Sequence, residues 1–521
     1  MKIPLTPLRC LERAADLFGP KIGIVCGDQR FTYADMASRV ACLASALTRN
    51  GVVPGDRVAF LSYNTHKLLE GYYGAPQAHA IVMPLNVRLT PVELADIVRH
   101  AEPKFIFYEA EFGPTAGHLR NALPGLRIVN LDTEYEPFLL QGDPIPPDVS
   151  SCDENAIAEL FYTSGSTGTP KGVMLSHRTI YLHALGSIAS MGLDHYGIEL
   201  HTIPLFHANG WGRPQTATMM GVKQVMVRRF DCPGVCRLIQ DERATSMSIV
   251  PTMANAMLAF AGRDAFDLSS LDLIFIGGAA ATPTMIENME KAFHCEIQAG
   301  YGLTETSPVA TSARRKSTIA YSSDEDRWQR QSVAGWPIFG AEVRVVDLSD
   351  NPVPRDLSTV GEVAVRGDVV MDGYFREPEA TAAVMAGGWL HTGDMAVWDD
   401  ENYIHIVDRK KDIIISGGEN ISSIEVEKVI STHSAVAETA VVSAPDERWG
   451  EIPVAFVVTK PGTELDEADL RSYLAARLAK FKVPHKYFIR TDALPKGGTG
   501  KILKRELREP FWQGLEKRVQ G

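Results

Sequence analysis

The chain has no apolar run approaching the roughly 18–20 consecutive residues needed to cross a bilayer, so an integral membrane protein is not expected. Its start, Met1-Lys-Ile-Pro-Leu-Thr-Pro7, is too short and too broken by proline for a secretory signal. Positive charge is in deficit: 52 Lys and Arg against 64 Asp and Glu give a formal net charge of −12. That balance argues against a general nucleic-acid or anionic-membrane binder, and any anionic ligand has to be met by a local cluster. Cysteine is scarce and odd in number. The seven, Cys10, Cys26, Cys42, Cys152, Cys232, Cys236 and Cys295, are scattered, and the one close pair, Cys232 and Cys236, has the spacing of neither a zinc knuckle nor a redox pair. No disulfide framework is implied, and a cytoplasmic protein is the expectation. The terminal Val-Gln-Gly also lacks the peroxisomal tripeptide.

What is present is ordinary globular composition, 45% hydrophobic and 22% charged, over 521 residues, too many for one core. Thr32 and Asp35 make a capping box ahead of Met36, Val40, Leu43 and Leu47, which fall on one helical face. Apolar runs at 57–62, 80–85, 245–250 and 271–276 read as buried strands, with a helix over 67–78, the alternation of doubly wound α/β layers. From about residue 333 the rhythm becomes short alternating strands, at 341–346, 361–366 and 403–407, read as a small β subdomain. The polar stretch 313–331 reads as a solvated loop or lid edge. A boundary is placed at the charged 408–412 segment, giving a large domain over 1–408, a hinge over 409–411 and a small α+β domain over 412–521.

The most informative stretch is Tyr162-Thr-Ser-Gly-Ser-Thr-Gly-Thr-Pro-Lys-Gly172. An apolar strand enters it, broken only by Glu159, and a short strand leaves it. Gly165, Gly168 and Gly172 permit close backbone approach, Ser164, Ser166, Thr167 and Thr169 supply donors, and Lys171 a cation, a set suited to polyphosphate. Gly172 instead of Ser or Thr after Lys171, and a strand instead of a helix, separate it from the common NTPase phosphate loop. Further along, Gly300-Tyr-Gly-Leu-Thr-Glu-Thr306 follows a strand expected at 295–299. Phe275-Ile-Gly-Gly-Ala-Ala-Ala281 leaves a strand with five small residues in a row. Ile203-Pro-Leu-Phe-His-Ala-Asn-Gly-Trp211 sets an imidazole and an indole four apart. Thr392-Gly-Asp394, Arg409, Ser416-Gly-Gly-Glu-Asn420 and Pro495-Lys-Gly-Gly-Thr-Gly-Lys-Ile502 complete the set.

These motifs, in this order over essentially the whole chain, resemble those of the AMP-forming adenylating enzymes: acyl-CoA synthetases, peptide-synthetase adenylation domains and beetle luciferases. The resemblance implies that Thr163, Ser164, Gly165, Ser166, Thr167, Gly168 and Lys171 hold ATP phosphates. It further implies that Thr304 contacts the α-phosphate and that Glu305 with Thr163 holds Mg2+, a cation that takes hard oxygen ligands. Gly278 and Ala279, with Gly300, Tyr301 and Gly302, would border the nucleotide, and Asp394 and Arg409 the ribose. Ala280, His207 and Trp211 would face the acyl group, with His207 beside the substrate carboxylate. Lys501 would neutralise charge at the reacting phosphorus. Lys411 is the implied hinge, and Gly417 and Gly418 the lining of a pantetheine tunnel; Ile415 and Asn420 replace a lysine and an aromatic found in some relatives.

The implied activity is a carboxylic acid:CoA ligase using ATP, CoA and a small-molecule acid, with a medium- to long-chain fatty acid as first choice. A short thioether, branched or aryl acid is the alternative, and a second copy of the chain as a homodimer partner is left open. An adenylation module loading a carrier protein, a luminescent enzyme and a non-catalytic nucleotide binder are the rivals.

Overall fold

A computed structural model describes residues 2–163, 170–410, 412–416, 419–496 and 502–513. The chain forms two compact units, Met1–Val343 with Ala364–His391, and Arg344–Val363 with Thr392–Gly521. The short strands expected at the end of the first domain are thus shared out differently from the boundary at 408. In the second unit, Thr392 Oγ1 donates to Val363 O at 2.8 Å and Lys410 Nζ meets Glu362 at 3.0 Å, binding 344–363 to the residues after 392.

Two large sheets lie in the first unit. One runs in the order Gly373–Tyr374, Lys171–Ser176, Ile157–Thr163, Ile81–Pro84, Arg57–Leu61, Phe105–Tyr108, Arg127–Asn130. Its last five strands are parallel, and Ile157–Thr163 turns back antiparallel into Lys171–Ser176. Both faces are covered, so the strands read as continuous apolar runs with alternate residues going to separate cores: Val58 and Phe60 to one, Ala59 and Leu61 to the other. The helices expected beside them are Tyr33–Arg49, whose Thr32–Asp35 capping box forms, and His66–Gln77, capped by Thr65.

The second sheet places six parallel strands side by side, Glu296–Gly302, Leu273–Ile276, Ser246–Ile249, Ile198–His201, Lys223–Met226 and Ile22–Cys26, with antiparallel strands at both edges. Ile274 and Ile276 point into one core, while Leu273 and Phe275 point to the other face, where Trp211 lies. Parallel strands leave all their carboxyl ends along one sheet edge, the usual place for a ligand in such sheets.

The polar stretch 313–331 is a loop only in part, since Asp324–Gln331 is a helix. Ser323 caps it, three acidic residues occupy its first turn, and Arg327 and Trp328 anchor it to Glu290. Its composition hid it because, Trp328 apart, the residues that hold it are polar ones with a partner. In the second unit, Gly450–Thr459 pairs antiparallel with Val436–Asp446 and parallel with Lys486–Arg490. Helices Ser423–Ser431 and Glu467–Ala475 add Val426, Ile430, Leu470 and Leu474 to its core, the expected α+β arrangement. Among the described residues no helix is long and apolar enough to cross a membrane.

Candidate active site

Thr163 and Lys171 sit opposite one another across the antiparallel hairpin, at the two ends of the glycine-rich loop. Lys171 Nζ lies 4.8 Å from the centre of the Tyr374 ring, and the Tyr374 hydroxyl donates to Glu305 Oε1 at 2.8 Å. Burial, reinforced by the negative charge of Glu305, pushes the Tyr374 phenol upward, so it remains a donor to the carboxylate. Tyr374 is held by pairing with Val173, and the Glu305 carbonyl accepts from Met371 N at 2.9 Å. Glu305 is therefore tied to the strand that begins at Lys171. A cation, a hydroxyl and an oriented carboxylate at one hairpin end suit a polyphosphate and a hard metal ion.

Gly300, Tyr301 and Gly302 are the last residues of the Glu296–Gly302 strand and not yet the turn expected of them, because they pair with Ser312, Thr311 and Val309. A Cβ at Gly302 would overlap the Pro308 carbonyl oxygen, which makes glycine obligatory for this approach. The turn follows as the 3-10 segment Thr304–Thr306. Thr306 Oγ1 accepts from Leu303 N at 3.1 Å and donates to Pro308 O at 2.7 Å, and Thr304 is buried.

His207, Trp211, Gly278, Ala279, Ala280 and the 303–305 segment all follow the carboxyl ends of parallel strands of one sheet. Gly278, Ala279 and Ala280 form an exposed ledge after buried Gly277. The Trp211 indole lies against it: a Cβ at Gly277 would come within 3.1 Å of that ring, and one at Gly278 within 3.3 Å. Trp211 also packs edge-on against Phe275, centroids 6.0 Å apart, a contact worth about 0.5–1.5 kcal/mol beyond burial. The ledge expected to border adenine and the indole expected to face the acyl group are thus neighbours.

The indole reaches that position through an unusual backbone. Ala208, Asn209, Gly210, Trp211 and Gly212 all have positive φ, 45°, 41°, 57°, 63° and 71°. For the residues with a Cβ this costs on the order of 1–3 kcal/mol each, so the turn persists only if its surroundings hold it. Asn209 Oδ1 accepts from Gly212 N at 2.6 Å and Asn209 Nδ2 donates to Glu159 at 3.0 Å. Upstream, Asn64 bonds the carbonyls of His201 and Ile203 and accepts from Leu205 N, while Tyr72 donates to Leu205 O.

In the second unit, Asp394 and Arg409 face each other across paired strands, with Nε and Oδ1 2.6 Å apart. Asp394 is buried, and Arg409 is about half exposed, at 46%. Ser164, Gly165, Ser166, Thr167, Gly168, Lys411, Gly417, Gly418 and Lys501 lie outside the described residues.

Three residues of these sites escape a reading of the sequence. Tyr374 stands 69 positions from its partner Glu305, and its signal is only an isolated Gly-Tyr pair. Glu159 registers merely as a polar break in an apolar strand, and Asn209 as a spacer between His207 and Trp211.

Comparison with known proteins matches residues 11–375 to the AMP-binding enzyme family and residues 425–501 to the AMP-binding enzyme C-terminal domain. A peroxisomal butyrate–CoA ligase of Arabidopsis thaliana is 35% identical, covering 97% of this chain and 93% of its own length. A long-chain-fatty-acid–CoA ligase of Thermus thermophilus is 36% identical over 96% and 94%. Among solved structures, o-succinylbenzoate CoA synthetase of Bacillus subtilis in complex with AMP superposes with a TM-score of 0.84 at 27% identity, covering 97% of this chain and 98% of that one. An anthranilate CoA ligase in complex with anthranoyl-AMP gives 0.88 at 25%, covering 98% of each. The chain belongs to the AMP-binding enzyme family, as an AMP-forming acyl-CoA synthetase that joins a carboxylic acid to CoA at the expense of ATP.

Proposed function

We propose that the acid is a medium- to long-chain fatty acid, and that the observation carrying this reading is the Trp211 ring lying on the Gly277–Gly278 ledge. Behind it stand Ile203, Ala208, Leu273, Phe275 and Val309, an apolar wall that favours an alkyl chain over a polar acid. A carboxylate oxygen attacks the α-phosphorus of ATP, the bond to pyrophosphate breaks, and the acyl-adenylate carries the activated carbonyl. The CoA thiol then displaces AMP, its proton passing to solvent. Catalysis of the first step is positioning and charge neutralisation, with no covalent enzyme intermediate.

In this reading His207 lies beside the substrate carboxylate, Lys171 and Thr304 meet phosphate oxygens, and Asp394 and Arg409 meet the ribose hydroxyls. Among the described residues no three His, Cys, Asp or Glu side chains gather as a metal cage. Thr163 and Glu305 are oxygen donors of the kind Mg2+ takes together with phosphate oxygens and water, and Glu305 is already oriented by Tyr374. Mg2+ would neutralise phosphate charge there. Lys501 bridges carboxylate and α-phosphate, and Lys501→Ala should lower adenylation by about 10²–10³-fold, read as acid-dependent pyrophosphate exchange. Rotation at Lys411 would exchange this lysine for a thioester-forming face with Gly417 and Gly418 beside the pantetheine arm.

A short-chain reading has its own support: relatives at 35% and 33% identity are named for butyrate and 4-hydroxybutyrate. The test is pyrophosphate release with MgATP and CoA across acetate, butyrate, octanoate, palmitate, 3-methylthiopropionate and benzoate. The proposal expects kcat/KM to peak at octanoate or palmitate. A peak at butyrate, the thioether or benzoate overturns the chain-length assignment.

A further inference from the structure

Glu159 has no part in the reaction as derived, yet it is 1% exposed and lies four residues before Thr163 on the strand that enters the phosphate loop. One of its carboxyl oxygens accepts from Asn209 Nδ2 at 3.0 Å, the other from Gln215 Nε2 at 2.7 Å. Both donors are uncharged amides. Asn209 is the second residue of the left-handed run that presents Trp211 to the Gly277–Gly278 ledge, and its other amide atom closes the run onto Gly212 N. The buried phenols of Tyr72 and Tyr73 feel the charge of the carboxyl, and Tyr72 pins the same segment at Leu205.

We propose that Glu159 is a positioning residue for the acid side of the reaction: through Asn209 it holds the strained 208–212 turn, and with it His207 and Trp211, to the strand that carries the nucleotide loop. The inference rests on the placement of His207 and Trp211 at the acid. An ordinary buried glutamate would cost the protein stability when removed and would affect both substrates alike. A glutamate that shapes the acid pocket should act on the acid alone.

A substitution that preserves the bonds is available. Gln215 Oε1 is buried without a partner, so a half-turn of that amide lets it accept from the new side-chain NH2 of Glu159→Gln while the new carbonyl still accepts from Asn209. Glu159→Ala loses both bonds. With octanoate, butyrate or palmitate, whichever turns over best, Glu159→Ala and Asn209→Ala should each raise the acid KM about tenfold, the size of one lost buried hydrogen bond. The KM for ATP should stay within about twofold, because the strand and hairpin carrying Lys171 remain. Glu159→Gln should restore the acid KM, and the Glu159→Ala/Asn209→Ala pair should be no worse than either alone.

The proposal is overturned if both KM values rise together, if Glu159→Gln is as impaired as Glu159→Ala, or if the two alanine effects add. Asn209→Ala and Glu159→Gln carry the test should Glu159→Ala not fold. His207→Ala and Trp211→Ala are assayed alongside. If neither alters the acid KM, the acid-site reading itself fails and takes the proposal with it; if they do while Glu159→Ala and Asn209→Ala do not, only the role of Glu159 is lost.

Discussion

Glu159 in the first unit and Glu427 in the second are both largely removed from water, and they are held in opposite ways. Glu159 meets two neutral amides. Glu427 meets Lys504 at 2.8 Å and Val441 N at 2.6 Å, with the Lys504 ammonium also donating to Ser423 Oγ at 2.6 Å. Buried Asp408 accepts from Ser423 N and Arg409 N beside them, and Arg508 reaches Asp412 at 2.6 Å. Burial works against the Lys504 charge, but Glu427 and Asp408 outweigh it and hold its pKa above the ordinary lysine value. Burial, opposed only by the two amides, pushes the Glu159 carboxyl up to about 8. The ionic network fastens Lys504–Trp512, the helix that follows the Lys501 segment, to residues on both sides of position 411. The amide one shapes a turn and tolerates an uncharged acid.

The largest effect expected from breaking this contrast is in the ionic network. Lys504→Met keeps the length of the side chain but leaves Glu427 and Asp408 without their cation, and should cost about 3–5 kcal/mol in denaturant unfolding of the second unit. A loss under about 1 kcal/mol would mean that the network is not a unit. Next in size is Glu159→Ala, with its roughly tenfold rise in acid KM described above.

A third effect is a pH dependence. The folded Glu159 carboxyl holds its proton to about 8, whereas in the unfolded chain it would release it near 4.5. Between those values the folded state carries the extra proton, so stability should decline as pH rises through this window and carry no such penalty below it. Glu159→Gln cannot titrate and should flatten the decline, seen as the difference in melting temperature between pH 5 and pH 8. An unchanged slope would show that the carboxyl is ionised in the folded chain.

The sequence carries the local part of this structure. The strands flanking the glycine-rich loop, the Thr32 cap and the small residues after Ile276 are readable because period, caps and turn chemistry are written in neighbouring residues. Their site partners are not: Tyr374 for Glu305 and Glu159 for Asn209 are joined only by the fold, 69 and 50 positions apart. The glycines at 300 and 302 look like turn residues and prove to be strand residues, because the reason for them is the chain packed against them. The helix Asp324–Gln331 was hidden by its polarity, since Glu290, which holds it, lies 37 residues before Arg327.

The central claim is that a carboxylate attacks the α-phosphorus of ATP. Octanoate, or the better acid from the panel, labelled with oxygen-18 at both carboxyl oxygens, is turned over with MgATP and CoA, and the AMP is examined by mass spectrometry. One labelled oxygen is expected in AMP for every thioester formed. Thioester accompanied by unlabelled AMP would contradict it.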